Sequence, residues 1–293
     1  MGCAILAVLL LAALLLPGCA PAPAASESAA VDESAIVTAV RRGLKGHSVC
    51  IRIRFSSDRD MLSELPALAD SWVEEALAET EDPAEGDYIR YQYGGYSLNA
   101  GYEVTEGRYE YRLELTPQYY LYLTEEAEVG PEVDRLFAEV FAFDDDTSDY
   151  EKVRAIYDYL CATVRYDEVH RKNPHYGLRS TAYAALIRKT ATCQGYAVAL
   201  YRLLRTAGLD ARVITGTGYT EAGPEYHAWN IVAVDGAYYY LDATWDAGQA
   251  EYRYFLKGRD TLEHHVPDPA FTSSDFLARY PVSAVDYPLE KRA

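Results

Sequence analysis

His227-Ala228-Trp229-Asn230-Ile231-Val232-Ala233-Val234, Asp235-Gly236, Ala237-Tyr238-Tyr239-Tyr240-Leu241-Asp242 is the stretch whose reading constrains the fold most tightly. Two apolar, β-prone runs flank an Asp-Gly pair, the composition of a two-residue hairpin turn. Such a turn fixes the register, so that Asp242 opposes Trp229 and His227 opposes Thr244. His227 and Trp229 are two apart and project from one face of their strand. Asp242 is therefore a diagonal neighbour of His227, on that face and near that end, within reach of the imidazole.

Upstream, Thr192-Cys193-Gln194-Gly195-Tyr196 stands where a loop becomes a helix. Ala197, Leu200, Tyr201 and Leu204 recur on one face of the helix 193–207, which stops at Gly208. A cysteine in a first helical turn feels the partial positive charge of exposed N–H groups, which favours thiolate. A strand at 211–217 completes the neighbourhood. Its Gly216-Thr217-Gly218 is no dinucleotide fingerprint, because the third glycine and the following helix are missing. Taken singly, a helix-start cysteine is more often packing, and a strand histidine before Ala-Trp more often core. Together, Cys193, His227 and Asp242 on helix start, strand start and strand end have the placement of nucleophile, base and orienter, provided the helix N-terminus packs against the hairpin end.

Further out, residues 150–165 form a helix capped by Ser148 or Asp149, with Val153, Ile156, Tyr157, Leu160 and Val164 inward. Residues 131–143 form another, opened by Pro131. Asp144-Asp145-Asp146 between them reads as a solvated break, with a calcium site as the lesser alternative because a contiguous acidic run lacks the alternating oxygen spacing of a calcium loop. A polar stretch, 167–179, carries His170, Arg171, Lys172 and His175, and could supply one cationic rim of a cleft. The first half reads as helix at 32–42, strand at 47–55, helix within 60–80 starting near Pro66, and Tyr-rich strands at 87–104 and 108–123 joined at Glu106-Gly107. The expected organisation is a signal segment at 1–18, a linker at 19–31, a small α+β domain at 32–125 with no catalytic constellation, and a second domain at 126–293 with its core at 150–246.

Composition narrows the function classes. Of 293 residues, 49% are hydrophobic, enough for a core, and the net charge is −18. With no basic stripe to offset that charge, nucleic acid is excluded as a partner. Residues 4–16 are uniformly apolar, too short for a membrane span and suited to a signal-peptide core. They end in Leu16-Pro17-Gly18-Cys19, which resembles a bacterial lipobox. The expectation is lipidation at Cys19, with an ordinary secreted signal or an uncleaved anchor as the other readings. The Pro-, Ala- and Ser-rich residues 20–31 suit a tether. Cys50, Cys161 and Cys193 remain, which is no disulfide framework. Cys50 and Cys161 read as core residues, and the sequence leaves a bridge between them open. No metal-ligand spacing occurs, and His264-His265 reads as a solvated turn.

Residues 151–246 resemble bacterial transglutaminase-like domains. The resemblance rests on Lys152 to Tyr159 with Tyr166-Asp167, Thr181-Ala182-Tyr183, Cys193-Gln194-Gly195-Tyr196-Ala197, His227-Ala228-Trp229-Asn230, and Leu241-Asp242-Ala243-Thr244-Trp245-Asp246. Ala184 and Ala191 stand where such domains often have glycine. The resemblance implies an α+β papain-like core with Cys193 as nucleophile, His227 as general base and Asp242 as orienter, in an extracytoplasmic setting. The backbone N–H of Cys193 is a candidate oxyanion donor from helix geometry. Tyr183 is a second by resemblance, and Gln194 a third. Trp229 and Trp245 are cleft candidates that keep water off the His–Asp pair or simply pack the core.

The expected function is an extracytoplasmic, membrane-anchored cysteine enzyme acting on protein or peptide amides, cell-wall peptide included, through a thioester that an amine or water resolves. No cofactor or metal is called for. The alternative is a non-catalytic envelope lipoprotein that uses the papain-like groove to bind peptide or wall fragments.

Overall fold

The computed structural model describes residues 32–288. The signal segment, the Cys19 lipidation site and the linker lie outside the described residues. Among the described residues no helix is long and apolar enough to cross a membrane. The chain divides into two compact units, each mixing helices with antiparallel sheet, so the α+β class holds.

The first unit takes in described residues 32–76 and 95–118. Helix α1 (Glu33–Lys45) is capped by Asp32, whose side chain accepts from the Ala35 N–H. It continues past Gly43, where the sequence reading stopped it. Strand β1 (Ile51–Ser57) and helix α2 (Leu65–Ala76) follow. Strands β2 (Tyr93–Thr105) and β3 (Arg108–Tyr119) complete a sheet of order β1-β3-β2. Ile51, Ile53 and Phe55 alternate inward on β1 and pair antiparallel with Leu115, Leu113 and Tyr111 of β3. The Phe55 ring meets Trp72 of α2 edge-on at 5.9 Å. Burying each such aromatic stabilises the unit by about 2–3 kcal/mol.

The second unit takes in residues 77–94 and 119–288. Residues 77–94, read from sequence with the first domain, pack here because their polar groups are satisfied here. Asp87 of helix α3 (Asp87–Arg90) is fully buried. Its carboxylate accepts from Arg212 at 2.8 and 3.0 Å and from the Val213 N–H at 2.8 Å. Helix α4 spans Leu123–Leu136 and runs into a π-helical turn, Phe137–Phe141. The helix begins eight residues before Pro131, where the Glu125 carboxylate accepts from the Tyr122 N–H at 2.8 Å; the proline is tolerated inside it. Helix α5 (Asp149–Thr163) carries the Ser148 cap and a capping box with Glu151.

Strand β4 (Arg165–Tyr166) pairs parallel with β5 (Thr190–Ala191), and helix α6 (Ala182–Leu186) lies between them in sequence. Helix α7 (Cys193–Thr206) then leads into strands β6 (Ala211–Thr220), β7 (Gly223–Val234) and β8 (Ala237–Leu241). Helix α8 (Ala243–Asp246), strand β9 (His265–Pro267) and helix α9 (Ser274–Arg279) close the unit. The sheet order is β8-β7-β6-β9, antiparallel throughout. Tyr196, Leu200 and Leu204 of α7 share one core with Val213, Ala228 and Val232 of the sheet. The buried Asn230 of β7 donates to the Ala197 carbonyl of α7 at 2.9 Å, which ties the Cys193 helix to the His227 strand. Cys161 is a free thiol, so no bridge to Cys50 forms.

Candidate functional site

The β7–β8 register is the one that an Asp-Gly turn dictates, with Val234 opposite Ala237 and Asn230 opposite Leu241. The strand ends at Leu241, and Asp242, next in line opposite Trp229, becomes the N-cap of α8. That cap fixes the carboxylate. Oδ1 accepts from the Thr244 N–H at 2.9 Å and the Trp245 N–H at 3.3 Å, leaving Oδ2 facing His227. His227 Nε2 lies 2.7 Å from Oδ2.

The Cys193 thiol lies close enough to the same imidazole to raise its pKa. With Nε2 taken by Asp242, Nδ1 is the nitrogen left for the thiol. The three side chains singled out in the sequence are thus brought together, all buried, at 7%, 2% and 1% exposure. Gly195 makes this placement feasible. A Cβ there would meet the Ala191 Cβ and the Arg179 carbonyl oxygen, each at 2.8 Å, so only glycine lets the start of α7 settle against that backbone.

Electrostatics follow from this geometry. Burial alone lowers the His227 pKa, but the Asp242 charge, its hydrogen bond and the Cys193 thiol outweigh it and raise the value to about 10. Burial alone raises that of Asp242, yet the His227 charge and the hydrogen bonds from two imidazoles hold it well below the usual carboxylate range. Cys161, in the core behind the site, has its thiol pushed up, first by burial and then by the Asp246 charge.

Trp245 stacks on the His227 ring, 4.5 Å between centroids and 21° between planes, and Trp229 lies 5.8 Å away at 25°. The two indoles wall the imidazole. Of the oxyanion candidates, Gln194 borders the cleft, but its Nε2 donates to the Tyr91 carbonyl at 2.5 Å and its Oε1 accepts from the Tyr226 hydroxyl at 3.3 Å. Tyr183 is buried in the main core and is not among the described residues that border the cleft.

The cleft has a volume of about 360 Å³ and opens onto Cys193. Arg171, Lys172 and Arg179 border it, with Glu225 as the facing carboxylate. The polar segment 167–179 therefore does form a rim. His170 instead turns to Asp167, 2.9 Å away.

One residue was missed. His265, read as part of a solvated turn, has a fully buried side chain, and its Nε2 lies 3.0 Å from Asp242 Oδ2. Strand β9 delivers it by pairing with β6, Gly218 opposite His265. A Cβ on Gly218 would meet Trp245 at 2.9 Å and His227 at 3.0 Å. A glycine inside a strand marks a close approach, and that was the available signal. Among the described residues, His227, Asp242 and His265 are also the cluster with ligand atoms close enough to share a cation, all within 4.8 Å. Their 2.7 and 3.0 Å separations are hydrogen-bond lengths.

Residues 140–243 match the family model described as the Transglutaminase-like superfamily. Over 110 residues the chain is 32% identical to kyphoscoliosis peptidase of Mus musculus, and over 109 residues 30% identical to that of Homo sapiens. Each match covers 34% of this chain and 16% of the relative, so the chain spans about a sixth of those relatives' length. A solved TGase structure aligns at TM-score 0.34 and 16% identity, over 68% of this chain and 52% of that one. The family match spans helix, hairpin and all three candidate residues: residues 140–243 are similar to a transglutaminase-like domain.

Proposed function

We propose that this chain is a cysteine enzyme that acts on amide bonds of proteins or peptides, with Cys193 as nucleophile, His227 as general acid and base, and Asp242 as orienter. The observation that carries this reading is the buried His227–Asp242 hydrogen bond at 2.7 Å, beside a Cys193 thiol near enough to raise the imidazole's pKa. The Cys193 thiolate attacks the amide carbonyl, forming an S–C bond and an oxyanion. The first N–H groups of α7 have no partner within the helix and face developing negative charge there. Collapse breaks the C–N bond, and His227 gives its Nδ1 proton to the departing ammonia or amine. The thioester that remains is attacked by water or an amine, which loses its proton to His227 as the thiolate departs.

The common first step does not distinguish transfer from hydrolysis. Trp245 stacked on His227 keeps water from the imidazole, which favours transfer. Lys172 and Arg179 on the rim, with Arg171 paired to Glu168 and Glu225, disfavour a lysine acceptor, which favours hydrolysis of protein substrates. A glutamine-containing peptide with and without a primary amine decides. Cys193-dependent amine incorporation supports transfer, and ammonia release or backbone cleavage unchanged by amine supports hydrolysis. If neither product forms, the substrate class is wrong.

An extracytoplasmic position with a lipid on Cys19 belongs to the same proposal. Its support is the apolar run 4–16 followed by Leu16-Pro17-Gly18-Cys19. Cys19→Ser should move the protein from the detergent to the aqueous phase. Wild type already in the aqueous phase contradicts the anchor.

A further inference from the structure

Asp242 serves two histidines rather than one. Its Oδ2 lies 2.7 Å from His227 Nε2 and 3.0 Å from His265 Nε2, while Oδ1 is occupied by the two backbone N–H groups of α8. His265 Nδ1 lies 2.7 Å from the Glu263 carbonyl oxygen, which can only accept. Both nitrogens of this ring therefore face acceptors, and both hydrogen bonds form together only when the ring carries two protons. His265 falls beyond residue 243, outside the matched family segment.

We propose that His265 is a positioning residue for the candidate triad: its imidazolium, held between the Glu263 carbonyl and the Asp242 carboxylate, fixes Asp242 and offsets part of the negative field that His227 feels. The inference rests on the triad reading above. The charge count supports it. A Cys193 thiolate, a His227 imidazolium, an Asp242 carboxylate and a His265 imidazolium sum to zero, whereas a neutral His265 leaves one uncompensated negative charge in a buried site. The packing is equally committed. The His265 ring sits 4.3 Å from Trp245, 4.9 Å from Trp229 and 5.3 Å from His227. A positive charge at that range makes His227 a stronger acid toward a leaving amine than Asp242 alone would leave it.

Other titratable groups face the pair. Asp246 of α8 is engaged by the Tyr157 hydroxyl and by the N–H groups of Arg253 and Tyr254. The Tyr254 ring packs on His265 at 5.1 Å, and burial raises its pKa. The Cys161 thiol lies behind, on the Ala243 carbonyl. The Glu263 side chain is exposed and pairs with Arg253.

The test is the pH dependence of Cys193 alkylation by iodoacetamide, which needs no substrate. Its upper inflection reports loss of the His227 proton. In His265→Gln, which retains a donor toward Asp242 but not the charge, that inflection should move up by about one pH unit. A wild-type profile with two inflections and an unmoved upper one in His265→Gln overturns the proposal while sparing the triad. A wild-type profile with a single inflection overturns both. If His265→Gln does not fold, side-chain nitrogen NMR of the wild type decides. Two protonated nitrogens on His265 at neutral pH support the proposal, and a neutral ring overturns it.

Discussion

His227 Nε2 lies 2.7 Å from Asp242 Oδ2, fifteen residues further along the chain, because the β7–β8 hairpin ends where helix α8 begins. The turn at 235–236 sets the register, the register brings Asp242 to the His227 end, and the N-cap bonds from Thr244 and Trp245 point Oδ2 inward. Asp242 thus holds the His227 ring and caps α8 at once.

Those two roles separate on mutation. Asp242→Asn keeps an oxygen for the α8 cap but removes the charge that holds His227. It should lower amide turnover by orders of magnitude, ~10⁴-fold in a comparable triad, and forfeit the stability that the charged His227–Asp242 pair contributes near neutral pH. Asp242→Ala removes the cap as well, at a further cost of about 1 kcal/mol. Equal activity in wild type and Asp242→Asn contradicts the assignment. Thermal melts beside turnover assays provide the check.

Gly195 should not accept a side chain. Its Cβ would lie 2.8 Å from both Ala191 and the Arg179 carbonyl oxygen. Gly195→Ala should destabilise by about 1–3 kcal/mol, as overpacking does, and should slow Cys193 alkylation because the helix start shifts. Urea midpoints measure the first effect and peptide mapping the second.

The His227–Asp242 pair makes stability depend on pH on the alkaline side. The folded pKa of His227 is about 10 against an ordinary 6.5. Its contribution is therefore fully present below pH 6.5 and lost as pH rises toward about 10. Urea midpoints should fall across that window by the equivalent of a few kcal/mol, and Asp242→Asn should flatten the fall. Parallel curves for the two proteins contradict the pairing.

A second window lies lower. Burial first, and then the Asp87 charge, raise the pKa of Glu79 to about 7 from 4.5, against the opposing pull of Arg212. In this window the folded state holds the proton that the unfolded state releases. Stability should therefore decline as pH rises from about 4.5 to about 7, by at most about 3 kcal/mol. Glu79→Gln should remove that slope in a melting-temperature series, and an unchanged slope would place its origin elsewhere.

Much of this site was legible in the sequence because it rests on local rules. A two-residue turn admits one register, and Ser148 with Glu151 marks the start of α5 as a capping box should. Where a competing local signal won, the reading slipped. The proline at 131 suggested a first turn, but the Glu125 carboxylate on the Tyr122 N–H starts α4 earlier. His265 was illegible for a different reason. It enters through pairing of β9 with β6, a contact between segments nearly fifty residues apart that no periodicity encodes. Its only local trace is Gly218, a small residue where two rings need space. Likewise Asp87 falls at the start of a run read as strand, and its burial in helix α3 rests on the distant Arg212.

The central claim is that Cys193 is activated by His227, and two thiols of similar burial allow a direct test. Cys193 and Cys161 are 7% and 5% exposed, so a difference in their reactivity reports environment rather than access alone. Brief iodoacetamide treatment at pH 7, followed by mass-spectrometric peptide mapping, should label Cys193 at least about tenfold faster than Cys161. His227→Ala should lower the Cys193 rate by a similar factor and leave Cys161 unchanged. Labelling of Cys193 no faster than Cys161, or a Cys193 rate indifferent to His227→Ala, contradicts the account.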